Sequence, residues 1–198
     1  MDAAARGRDV RQRLLAAAVE LIPERGWTAV STRVLAERAG VTPSVVHYHF
    51  PSVAALLDEA VVGFMRGVVG GIDEVLAAAE TPAAAVDALV GSVTRYTGSD
   101  PMSLLAVEAC LAATRDERLR DQIAGVLAES RHRVGRWLAD HEVPEPETTA
   151  AMLLAAVDGL LLHRSLAAGP DPAATATVLR RLLGADPSTS DAVGEETR

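Results

Sequence analysis

Lysine is absent from this 198-residue chain, and all 19 of its basic residues are arginine. Contacts with a polyanion must therefore run through guanidinium groups, hydroxyls, backbone N–H groups or imidazoles. Cysteine occurs once, at Cys110, which excludes an internal disulfide and a cysteine-rich zinc site. Within "SLLAVEACLAA" that thiol reads as a small buried apolar group. Aromatic residues are 3% of the chain while apolar residues are 49%, so Ala, Leu and Val must fill the interior. Ala and Leu favour helices, and the expected fold class is all-α. No paired-carboxylate motif, glycine-rich phosphate loop or strand-framed nucleophile elbow is present, so neither an enzyme nor a cofactor is expected. The most apolar segment, 150–168, carries Asp158, His163 and Arg164, and suits a buried helix better than a membrane span. The N-terminal "MDAAARGRDVRQR" lacks the apolar stretch of a signal peptide. A cytoplasmic location without a membrane partner is the expectation.

The charge that is present is uneven. Residues 1–50 hold seven arginines against five acids, net +2, whereas the remaining 148 hold twelve against twenty-two, net −10. A mildly basic head on an acidic body directs any polyanion to the N-terminal end. Along the chain, Val10, Leu14, Ala17, Ala18, Leu21 and Ile22 recur at intervals of three and four, which predicts an amphipathic helix over 8–25 ended by Gly26. Ser31 offers an N-cap for "TRVLAERA", closed by Gly40, and Thr42 an N-cap for "PSVVHYH" with Pro43 in its first turn. After Pro51 and Ser52 a long helix runs to about Gly70 and continues to Ala79 with a bend at Gly70–Gly71. Thr81–Pro82, Asp100–Pro101 and Asp171–Pro172 repeat one device, a capping side chain followed by proline, and each marks a helix start. Further helices run from "ATRDER" to about His141, over 148–168 and over 172–184. About nine helices result, with a disordered polar tail over 185–198.

The stretch "AERAGVTPSVVHYHF" joins a helix stop, a two-residue turn and a two-turn helix. This is the pattern of a helix-turn-helix, whose second helix enters the DNA major groove. A helix so short needs support from its neighbours. Val41, Val46 and Phe50 are spaced to pack inward, with Trp27 sealing the other side. Thr42, Pro43, Ser44, Val45, His47, Tyr48 and His49 are left for phosphate oxygens and base edges. His47 and His49 lie about 200° apart on a helix, so they cannot share one metal ion, and no metal site is expected.

"TRVLAERAGVTPSVVHYHFPSVAALLDEAV" resembles the DNA-binding head of the TetR family of bacterial transcriptional regulators, and "TTAAMLLAAVDGLLLHR" is similar to the penultimate helix of many members. The resemblance implies a three-helix head over 1–51 and a larger helical effector-binding and dimerisation domain over 52–184. By that likeness Ser31, Thr32 and Arg33 touch phosphate, Thr42 through Val45 and Tyr48 read the groove, and His47 stands where an aromatic usually meets phosphate. Members commonly carry a backbone-contacting lysine where this chain has Val53. Leu153, Leu154, Val157, Leu160, Leu161 and Arg164 would lie in a homodimer interface. The implied function is a ligand-responsive repressor that binds a palindromic operator in double-stranded DNA as a homodimer and is released by a small lipophilic effector.

Six residues that are bulky or polar within aliphatic helices, Met65, Tyr96, Met102, Glu108, Trp137 and His163, are the candidate effector pocket. The alternative is a helical module that senses a small molecule or binds a protein without touching DNA. Such a module gives no reason for hydroxyls, imidazoles and a phenol on the outer face of a two-turn helix.

Overall fold

The computed structural model describes residues 3–166 and 169–184, and among them the chain forms nine α-helices and no strand. The tail expected over 185–198 lies outside the described residues. In chain order the helices are α1 (Ala3–Arg25), α2 (Thr32–Ala39), α3 (Pro43–His49), α4 (Val53–Ala78), α5 (Pro82–Thr94), α6 (Pro101–Ala113), α7 (Glu117–Asp140), α8 (Pro146–Leu166) and α9 (Pro172–Leu182), with a 3-10 turn at Trp27–Ala29. Helix α1 begins five residues before the apolar spacing predicts, because the Ala-rich "AAARG" continues a helix without apolar contacts to mark it.

The proline-led starts hold as expected. The side chain of Thr81 accepts from the Ala84 N–H, Asp100 from those of Met102 and Ser103, and Asp171 from that of Ala174. Thr42 differs: its side chain makes no cap bond, and its hydroxyl lies 2.9 Å from that of Ser44. The expected bend at Gly70–Gly71 leaves no break, as α4 is helical through both residues.

The chain divides into two compact units, Met1–Gly70 with Gly98–Ala128, and Gly71–Thr97 with Glu129–Arg198. This differs from the expected division at residue 51, since the first unit joins the head to the start of α4, to α6 and to the start of α7. Its core gathers Leu14, Leu21 and Ile22 of α1, Leu35 of α2, Val46 of α3, Leu56 and Val61 of α4, Leu105 of α6 and Leu119 of α7. Polar ties cross the same unit: Arg11 pairs with Glu59, Arg118 with the buried Asp58, and the Trp27 N–H donates to Glu108 Oε2 at 2.9 Å.

The second core gathers Leu76, Val86, Val90, Val134, Leu138, Ala150, Leu153 and Leu179. Gly135 of α7 lies against the first turn of α8: a Cβ at that position would meet the Glu147 carboxylate at 2.9–3.0 Å, so a larger residue there would make that exposed side chain swing aside.

Cys110 corrects an expectation, because it is exposed. Helix α6 buries Ser103, Leu105, Ala109 and Ala113 but is apolar on its outer side as well, so the apolar pattern could not tell its faces apart.

Candidate nucleic-acid interface

Helix α2 starts at Ser31, an extended N-cap whose hydroxyl accepts from the Val34 N–H at 3.5 Å. It ends at Gly40, where φ is +65°, the left-handed conformation that glycine adopts without a Cβ penalty. The Val41 N–H bonds back to the Ala36 carbonyl at 2.9 Å, which closes the turn and aims α3 away from α2. Helix α3 is only seven residues long, too short to persist alone. Two buried side chains hold it, Val46 at 1% exposure and Phe50 at 2%. Arg11 of α1 lies over the Phe50 ring at 4.6 Å and pairs with Glu59, which fixes the end of α3 between α1 and α4.

Anchoring on Val46 and Phe50 sets which residues face outward. Thr42, Pro43, Ser44, His47 and Tyr48 are exposed, while Val45 and His49 are half-buried. Tyr48 is 85% exposed, the most of any large apolar side chain described, and its ring meets that of His49 edge-on at 5.1 Å. At the start of α2, Ser31 and Arg33 are exposed and Thr32 is half-buried. Val53, at the position after α3 where a cation was sought, packs half-buried against the first core and offers no charge.

A hydroxyl pair, an imidazole and a phenol on one face are donors and acceptors that suit base edges and phosphate oxygens. Among the described residues no group of three His, Cys, Asp or Glu side chains could hold a metal ion, and no helix is long and apolar enough to cross a membrane.

The pattern matches known proteins along most of the chain. Residues 14–60 match the family described as bacterial regulatory proteins, tetR family, and residues 80–185 match the tetracyclin repressor-like C-terminal domain. The chain belongs to the TetR family. The solved transcriptional regulator SCO7518 from Streptomyces coelicolor A3(2) is 34% identical, with 88% of this chain and 98% of that one covered at a TM-score of 0.75. The multidrug binding protein EbrR, solved with imidazole, is 30% identical over 87% of this chain and 94% of its own, at a TM-score of 0.66. The HTH-type transcriptional repressor KstR2 of Rhodococcus jostii (strain RHA1) is 32% identical over 107 residues, 54% of this chain; the match spans 49% of that protein.

In this TetR-family chain the six candidate effector residues divide between the two units. In the first unit Met65 packs against the core, Met102 is exposed, and Glu108 accepts from the Trp27 N–H. In the second, Tyr96 is half-buried, the Trp137 ring stacks on His141 at 3.8 Å, and His163 is exposed. None of them lines the two crevices of the second unit. One, of about 10 Å³, lies among Val90, Val93, Leu160, Arg164, Gly169, Pro170 and Pro172. The other, of about 150 Å³, lies among Thr148, Thr149, Met152 and Leu153.

Of the residues expected at a dimer interface, only Leu153 is fully buried within its own chain. Leu153 is buried in the second core at 4% exposure, Leu154 packs against that core, and Leu160 and Arg164 line the smaller crevice. Val157 and Leu161 are half-buried. The outward side of α8 carries Met152, Ala155, Leu162 and Leu166, with Gly159 between them and the exposed Asp158 and His163 beside them. Sequence reasoning missed this stripe because α8 is apolar all round. Its signal was there in the spacing of 3, 4, 3 and 4 through 152, 155, 159, 162 and 166, the alternation of a helix seam.

Proposed function

We propose that this TetR-family chain is a DNA-binding transcriptional repressor that acts as a homodimer on a palindromic operator and is released by a small lipophilic effector. One observation carries the reading. Helix α3 is held by Val46 and Phe50 so that Thr42, Ser44, His47 and Tyr48 face outward together as a polar face. Ser31, Thr32 and Arg33 then fix the register on the phosphate backbone, and the two α3 helices of a dimer enter successive major grooves about one turn apart.

Support for the homodimer comes from the outer seam of α8. Met152 at 61%, Leu162 at 47% and Leu166 at 78% exposure are apolar side chains costly to leave in water, and Val178 of α9 is 55% exposed as well. A Cβ at Gly159 would meet nothing within 4 Å, so the seam has a notch that admits a second helix closely. Two such helices from each subunit make a four-helix interface. For the effector, the EbrR relative is a multidrug binding protein. Pockets that enclose drug-sized molecules run about 300–1,000 Å³, so a crevice of about 150 Å³ has to widen on binding. Such a ligand can bias the two states only by its differential affinity for them.

The test is binding of the purified protein to labelled duplex from upstream of its own gene against random duplex, with a panel of lipophilic compounds added afterwards. Selective binding that survives moderate salt and is reversed by a compound supports the reading. Equal, salt-sensitive binding to both duplexes, followed by failure to select any sequence from a random library, contradicts it.

A further inference from the structure

We propose that the first two turns of α1 form a second DNA-contacting element, in which Arg6 and Arg8 meet phosphates flanking the groove that α3 reads. This rests on the operator-binding reading above and extends the DNA-facing surface beyond α2 and α3. It follows from asking where each guanidinium of the head is spent. Arg11 is paired with Glu59 and lies over Phe50. Arg13 is held by Asp9 at 3.3 Å and by the Ala39 carbonyl at 2.9 Å. Arg38 is held by Glu20 at 2.9 Å and Glu24 at 2.6 Å. Arg6, Arg8, Arg25 and Arg33 remain exposed, and none of them has an ion-pair partner among the described residues; Arg25 is the last residue of α1, at the opposite end from Arg6 and Arg8. Arg33 already belongs to the interface at the start of α2.

The position of the other two is set by Gly7 between them. A Cβ on Gly7 would come to 4.0 Å from His49 Cε1, so this turn of α1 stands against the last residue of α3. Arg6 and Arg8 step about 100° to either side of Gly7, which sets two unneutralised guanidinium groups astride the line where α1 meets the reading helix. Helix α1 already extends from Ala3, so both side chains leave from regular backbone. In a chain without lysine these are the unpaired cations that stand beside α3 on α1, and a polyanion docked on α3 has them at its edge.

The test measures affinity for an operator, chosen by selection from a random duplex library, as a function of salt. The full-length wild type is compared with Arg6→Gln/Arg8→Gln, with Arg6→Lys/Arg8→Lys, and with Arg131→Gln/Arg136→Gln as a control of equal charge change on exposed residues of α7. Removing one arginine from a phosphate lowers the slope of log affinity against log salt by about 0.9, so the glutamine pair at positions 6 and 8, which removes four contacts because both subunits of the dimer carry it, lowers it by about 3.6. The lysine pair restores the slope and the control keeps it. A glutamine pair with the wild-type slope, a lysine pair no better than the glutamine pair, or a control whose slope falls as far overturns the proposal. Failure of the wild type to bind any sequence selectively sinks the operator reading itself, and is visible before any variant is compared.

Discussion

Two outward faces of this chain carry opposite chemistry on similar scaffolds. Helix α3 presents Ser44, His47 and Tyr48, and helix α8 presents Met152, Leu162 and Leu166; Tyr48 at 85% and Leu166 at 78% are about equally exposed. Exposure alone therefore says little, and the kind of atom exposed decides what each face can bind. The polar face can exchange its water for phosphate and base edges with its hydrogen bonds satisfied. The apolar face gains only by removing area from water, roughly 25 cal/mol per Å², which requires a complementary apolar partner. The first face suits a nucleic acid and the second another protein surface.

The largest effect expected from breaking this contrast lies on the apolar side. Met152→Glu with Leu166→Glu places two charges on the α8 seam while leaving the second core intact, since both residues are exposed. Sedimentation should report a monomer. Operator affinity should fall at least about a hundredfold, because the second head no longer binds as part of one molecule. Dimers of wild-type affinity from this variant would move the interface elsewhere.

On the polar side, Tyr48→Ala should cost about 1–3 kcal/mol of discrimination between the operator and a single-base variant. Thermal stability should change by no more than about 0.5 kcal/mol, because the side chain is exposed. Unchanged discrimination in a binding titration would take Tyr48 out of the reading face.

Smaller changes probe how the polar face is held. Glu108→Ala leaves the Trp27 N–H without its acceptor beside the head and should destabilise the first unit by about 1–3 kcal/mol in denaturant unfolding. Glu108→Gln retains a carbonyl acceptor and should recover much of that stability. Equal destabilisation in both variants would assign Glu108 a charge role in place of the hydrogen bond.

The smallest effect concerns Asp58. Burial pushes its carboxyl above the usual range and outweighs the opposing pull of Arg118, with Asp116 pushing the same way as burial. A carboxyl raised on folding favours the protonated form in the folded state. Stability should therefore rise as pH falls from neutral through the raised value toward the ordinary value of about 3.9. Asp58→Asn should flatten that rise and change stability at neutral pH by less than about 1 kcal/mol, read from thermal melts between pH 4 and 7. A drop of several kcal/mol would show that the pair with Arg118 outweighs the burial cost.

The helices and the outward side of α3 were legible in the sequence because the head mixes polar and apolar residues at helix spacing. Val46 and Phe50 could be placed inward, which left Ser44, His47 and Tyr48 outward. In α6 and α8 that contrast vanishes. Cys110 was expected inside and is exposed, and Leu153 was expected outside and is buried, because an all-apolar helix gives no sign of which side meets its own chain. Ties such as Arg118–Asp58 and Trp27–Glu108 join residues 60 and 81 positions apart, a separation over which local spacing carries no information. The N-terminal turns of α1 escaped notice for a related reason: Arg6 and Arg8 precede the large apolar side chains that begin at Val10, and only the approach of Gly7 to His49 relates them to α3.

The most direct test of the central claim is selection of binding sites from a random-sequence duplex library by the full-length wild type, beside a His47→Ala/Tyr48→Ala variant. The account predicts that the wild type enriches a two-fold symmetric sequence with half-sites about one helical turn apart, and that the variant loses enrichment at positions within each half-site. Enrichment of no sequence by the wild type, or of the same sequence with the same strength by the variant, would contradict it.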